Sequence, residues 1–87
     1  MTFYTFMMRN YKNADSPAGD LARDMKSDSE KFPRNHPCKF KEWHEQLYKY
    51  LVENGACRDC LRTFEECWEE YVRCEKKRLN LCFQERH

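Results

Sequence analysis

The sequence predicts an all-α domain of four helices, and three observations carry that expectation. Apolar residues recur at three- and four-residue spacing in four separate stretches, the period that places side chains on one face of a helix. Helix-start and helix-stop residues bracket those stretches. No stretch alternates apolar and polar residues as a half-buried strand does. The expected helices run near residues 3–12, 17–28, 38–54 and 57–80. The last one organises the others. In residues 57–72, CRDCLRTFEECWEEYV, one side carries Cys57, Leu61, Phe64, Trp68, Tyr71 and Val72. The opposite side carries Arg62, Glu65, Glu66, Glu69, Glu70 and Arg73, which belong in water.

The first helix opens with Thr2 as a cap. Phe3, Met7 and Tyr11 form an i, i+4 line, with Phe6 and Met8 beside it. The second opens with Ser16-Pro17, serine at the cap and proline in the first turn, where its missing N–H costs nothing. Ala18, Leu21, Ala22 and Met25 give it a narrow apolar stripe for close packing. Asp20, Asp24 and Asp28 line another face. Three carboxylates in line could bind a divalent cation, but without the loop-borne ligands of calcium motifs they read as a solvated face.

Residues 27–37 are a connection, because Phe32-Pro33 and His36-Pro37 turn the chain away from helix, and Phe32 is expected to plug the core from this loop. The third helix repeats Phe40, Trp43, Leu47, Tyr50 and Leu51 and stops at Asn54-Gly55, with Gly55 suited to a left-handed cap. The core should therefore hold Phe3, Leu21, Phe40, Trp43, Leu47, Leu51, Leu61, Phe64 and Trp68. Past Val72 the pattern changes to a basic run, Arg73, Lys76, Lys77 and Arg78, with Glu75 inside it. Leu79, Leu81, Cys82 and Phe83 follow. A helix reaching Cys82 is about 39 Å long, more than a domain of this size needs. The expected division is a helical domain over residues 1–72 and an extension over 73–87 that projects or folds back.

Composition narrows the function classes. Eighty-seven residues make one small domain, and 15% aromatic residues suit a core of few, large side chains. A net charge of +1 supplies no global field toward nucleic acid or membrane. No run approaches the length of a membrane span, and the first residues lack the pattern of a signal peptide. A cytoplasmic location is expected. The six cysteines sit within helical patterns; Cys60, Cys67 and Cys74 are too far apart along a helix to bridge, so free thiols at the core edge are expected.

Several of the quoted residues together resemble the YozE family of small bacterial proteins with a sterile-alpha-motif-like helical fold. They are Phe3-Tyr4, Ser16-Pro17, Gly19-Asp20-Leu21-Ala22, Asp24, Asp28, Phe32-Pro33, Tyr50-Leu51, Phe64, Trp68 and Tyr71. The resemblance covers about residues 2–72 and implies a compact four-helix domain without implying an activity. A likeness of that family to a DNA-binding domain of a phage transposition protein implies nucleic-acid binding at the level of fold alone. The cysteines and the tail depart from the family pattern.

No Gly-framed nucleophile and no phosphate loop occurs, so no enzyme, small-molecule substrate or cofactor is expected. Three other readings remain. The first is a protein–protein interaction module, an adaptor or a phage-type inhibitor of a host complex. It would bind a partner protein, or itself, through Arg73, Lys76, Lys77, Arg78, Leu79, Cys82 and Phe83. The second is nucleic-acid binding by Lys31, Arg34, Lys39 and Lys41, with His36 nearby, around the start of the third helix. The third is structural zinc on Cys57 and Cys60, with Cys38, His36 or His44 completing a tetrahedron. The same C-x-x-C could be redox-active if the helix start lowered a thiol pKa.

Overall fold

The structure, a computed structural model, describes residues 1–35 and 39–84, and side chains as far as Arg78. Four helices follow in order: α1 Phe3–Asn10, α2 Pro17–Ser27, α3 Phe40–Glu53 and α4 Arg58–Gln84. No strand occurs among the described residues, and no described helix is long and apolar enough to cross a membrane. α1, α2 and α3 all pack against α4, and α1 also packs against α2.

The local signals act as the sequence suggests. Thr2 Oγ1 accepts from Thr5 N at 3.2 Å, and Ser16 Oγ accepts from Gly19 N at 3.2 Å with Pro17 in the first turn. α3 ends in a Schellman motif. Gly55, at φ 81°, donates to Val52 O, and Ala56 donates to Leu51 O. Gly19 is fixed for a different reason: a Cβ there would lie 1.9 Å from Ala14 O, so the start of α2 closes directly onto the preceding turn. All four helices end a residue or more from expectation, α3 at Glu53 with Asn54 as its cap. α1 stops at Asn10 with Tyr11 as its cap, and α2 stops at Ser27 with Asp28 as its cap. α4 runs past residue 80 to Gln84, 27 residues in all.

The core is an aromatic cluster around Phe3. Its ring meets Phe64 and Tyr71 edge-on at 5.4 and 5.6 Å and Trp68 at a tilt at 5.2 Å. Leu21, Leu47, Leu51, Phe64 and Trp68 are buried as expected, and Phe32 enters from the loop. Phe6, Met7, Ala22, Met25, Cys67 and Tyr71 join them. Phe40, Trp43 and Leu61 are only half-buried, contrary to expectation. Phe40 borders an open groove between α3 and α4, and Leu61 borders a shallower depression beside Tyr48. Cys57 leaves the α4 stripe entirely and is exposed, because it lies just ahead of the first helical residue.

Two polar groups lie inside this apolar set, each 3% exposed: Asn35 and Glu75. Asn35 Oδ1 accepts from Phe3 N at 2.7 Å, satisfying an N–H that the first turn of α1 leaves without a partner. Its Nδ2 donates to Tyr71 Oη at 2.8 Å, and Tyr71 Oη donates to Met1 O at 2.6 Å. Glu75 holds the Met1 amino group at 3.2 Å. No break in α4 marks the expected boundary after Val72. Glu75 lies beyond it and still belongs to the packed bundle.

Trp68→Ala should cost about 3–5 kcal/mol through the cavity left beside Phe3. A thermal melt within a degree or two of the parent would show the cluster to be misplaced. Asn35→Ala should cost about 1–3 kcal/mol by leaving the Phe3 N–H buried without an acceptor. For a domain this small each kcal/mol is about 4–8 °C of Tm, and an unchanged Tm would remove Asn35 from its structural role.

Candidate functional site

Three regions hold the residues singled out from the sequence. The first is the loop ahead of α3. Lys31, Lys39 and Lys41 are exposed. Arg34 is exposed too, but part of its guanidinium is engaged. Its guanidinium carbon sits 3.6 Å from the centroid of the Tyr4 ring, and its nitrogens donate to Phe32 O at 2.9 Å and Ser29 O at 3.0 Å. Arg34 closes the loop onto α1, and a phosphate would compete with those bonds. Lys39 caps α3 without a side-chain hydrogen bond. His36 and Cys38 lie outside the described residues.

The second region is the start of α4. Cys60 faces a cavity of about 460 Å³ whose lining includes Leu21, Phe32 and Leu51, with Asp24 and Asp28 on its α2 side. Burial pushes the Cys60 thiol up, and the neighbouring Cys57 and Asp24 add to the effect. That is opposite to the lowered pKa a redox pair needs, because desolvation and negative neighbours both disfavour the thiolate. Cys57 and Cys60 supply two of the four donors zinc takes. Among the described residues no three His, Cys, Asp or Glu side chains converge on one point. The line of α2 carboxylates is exposed, as expected, and Asp20 is paired with Arg23 at 2.6 Å. Tyr50 Oη is enclosed at this cavity without a hydrogen bond of good geometry. Burial, and then the Asp28 carboxylate, push its pKa up.

The third region is the face shared by α3 and α4. A groove of about 530 Å³ has Phe40, Trp68 and Val72 as its apolar surface. Lys41 and Arg73 stand at one end, and Glu65 and Glu69 lie along α4 toward the other. His44 Nε2 meets the Glu65 carboxylate at 2.8 Å, and its ring stacks on Phe64 at 5.6 Å. His44 is thus a boundary residue that braces α3 on α4. Glu65 and Glu70 depart from the fully wet face expected of them. Glu65 takes the contact with His44, and Glu70 accepts from Tyr11 Oη at 2.6 Å. From Arg73 at the groove, Lys76, Lys77 and Arg78 follow on the same helix, all four exposed. Leu79, Cys82 and Phe83 continue it, with side chains outside the described ones.

These helices, their order and their caps agree with a family assignment. A family model for the YozE SAM-like fold matches residues 2–73. The chain belongs to the YozE SAM-like family. No curated protein and no solved structure matches it. The family match stops at Arg73, so most of the basic arm of α4 lies outside it, while the aromatic core and the α3–α4 groove lie within.

Sequence reasoning missed the pairing of Glu75 with Met1 and that of Tyr11 with Glu70. A single carboxylate within a basic run was the available signal for Glu75. No spacing rule links residues 59 positions apart, as Tyr11 and Glu70 are.

The thiols differ enough to predict their chemistry. Cys57 and Cys74 are exposed, Cys60 is half-buried and Cys67 is buried. Brief alkylation of the native protein near pH 8, mapped by mass spectrometry, should label Cys57 and Cys74 and spare Cys67; early labelling of Cys67 would contradict its burial. Burial pushes the Cys67 thiol from 9.0 up to about 11, and the bond to Glu70 pushes Tyr11 from 10.0 up to about 12. Both groups are neutral when protonated and hold their protons more tightly when folded. Stability should therefore fall as pH rises through about 9 to 12. Denaturant melts across that window should show the loss, shallower in Tyr11→Phe, and a flat profile would refute it.

Proposed function

We propose that this protein is a non-catalytic protein–protein interaction module whose contact element is the C-terminal arm of α4, residues 73–84. The observation that carries the reading is a bundle already packed against the first part of α4, from which the helix continues unbroken with four exposed basic side chains. Arg73, Lys76, Lys77 and Arg78 suit an acidic partner surface, and they steer encounter at low salt. The apolar residues Leu79, Cys82 and Phe83 of the same arm give such a contact its desolvated part. An adaptor and a phage-type inhibitor of a host complex both work through a contact of this kind, within the cytoplasm. Neither needs a metal or cofactor.

The nucleic-acid reading keeps Lys31, Lys39 and Lys41, while Arg34, though exposed, already braces its loop through Phe32 O, Ser29 O and the Tyr4 ring. The zinc reading has Cys57, Cys60 and His44 among the described residues, and the Glu65 carboxylate already holds His44. The arm is therefore the favoured element.

The full chain and a variant carrying Lys76→Glu, Lys77→Glu and Arg78→Glu should be compared by crosslinking capture from native lysate. All three positions are exposed, so the fold should survive, and circular dichroism checks that. Loss of a specific protein partner in the variant, with weaker capture by the parent at high salt, is the expected result. Equal recovery by both chains would remove the arm from the function. Recovery of nucleic acid that is lost in Lys39→Glu with Lys41→Glu would put the loop reading in its place.

A further inference from the structure

We propose that the partner of the arm is a second copy of this chain: two α4 helices pair antiparallel across a two-fold axis, each arm lying along the other's α3–α4 groove. This rests on the reading of the arm as the contact element and names what it contacts.

Three features of the molecule carry it. The first is how charge is distributed along α4. Arg58, Asp59 and Arg62 open it, Glu65, Glu66, Glu69 and Glu70 make its middle acidic, and Arg73, Lys76, Lys77 and Arg78, with Glu75 among them, make its second half basic, so the first half is net −3 and the second net +3. A two-fold contact needs a surface complementary to itself. A helix acidic in one half and basic in the other meets that need only when antiparallel.

The second feature is that the groove and the arm share one face. Glu65, Trp68, Glu69, Val72 and Arg73 line the groove. Helical spacing carries that face on to Lys76. With the axis between Val72 and Arg73, Lys76 of one copy falls opposite Glu69 of the other. The arm then runs toward Glu65, past the apolar surface of Phe40 and Trp68. Arg73 lies at the axis in this register, and Lys41 is the other cation of the groove lining. Glu69 is exposed and enters no ion pair among the described residues.

The third feature is continuity. Groove wall and arm belong to one unbroken helix, Arg58–Gln84. A straight helix cannot fold its second half onto its first, so an arm that fits this groove must come from another molecule.

Analytical ultracentrifugation of the full chain tests this. A concentration-dependent dimer that weakens as salt rises is expected. Glu69→Lys alone and Lys76→Glu alone should each raise the dimer dissociation constant about tenfold or more. Both in one chain should restore it, because each 76 then meets a reversed 69 in the partner. Within one helix the two positions are about 10 Å apart and do not pair, so rescue cannot come from the monomer. Circular dichroism confirms that all four proteins fold. A chain that stays monomeric at all accessible concentrations, or a double variant no better than the singles, overturns the pairing. The arm reading fails separately. If the chain is monomeric but still captures a different protein through Lys76, Lys77 and Arg78, that reading stands and only self-pairing falls.

Discussion

The buried amide of Asn35 is the interaction on which the arrangement of the domain depends. A loop side chain takes the first N–H of α1 and donates to the tyrosine at the centre of α4. Those two bonds fix the end of the loop, the start of α1 and the middle of α4 relative to one another. The aromatic rings around Phe3 supply most of the burial, but apolar contact is non-directional and would tolerate small slips. The amide does not tolerate them, because displacement leaves polar groups in an apolar surround without partners. Arg34, one residue earlier, clamps the same loop to Tyr4 from outside, so the loop is held on both sides of the chain turn.

What the sequence revealed, and what it hid, follows from the range of each interaction. Ser16-Pro17 and Gly55 act within four residues, and their local chemistry determines their geometry. The stripes of α2, α3 and α4 are legible because burial follows helical period. Asn35 and Glu75 are polar residues in polar-looking segments whose partners lie far away in the chain, and Arg34 ties two carbonyls of its own loop to the distant Tyr4 ring. Arg34 read from the sequence as part of a basic cluster, when its position over Tyr4 and against two carbonyls makes it structural. Phe40, Trp43 and Leu61 had the right period for burial but border open surface, since three short walls do not cover a helix the length of α4. The groove was invisible for the same reason: period alone predicts which residues face a neighbour, and not where the neighbour ends.

The same distinction applies to the thiols. C-x-x-C at a helix start reads as a metal or redox pair when only spacing is known. In the fold Cys60 is half-buried at a cavity of mixed lining beside the Asp24 carboxylate, where its proton is held. Cys57 stays in water. The two members of the pair therefore sit in unlike environments, and spacing carries no information about that.

α4 joins these observations, because it is both the core of the bundle and the support of the arm. An isolated helix of a dozen residues is marginal in water, since its first turn must be nucleated at a cost. The arm avoids that step by continuing a helix already fixed by Phe64, Trp68 and Tyr71 and tied at Glu75. Little ordering entropy is left to be lost in the contact proposed for it, which favours affinity from a small contact. The dependence also runs the other way. Whatever loosens the Asn35–Tyr71 contact loosens the last fixed turn from which the arm extends. The stability of the core and the order of the arm are thus properties of one helix, and substitutions at the aromatic centre act on both.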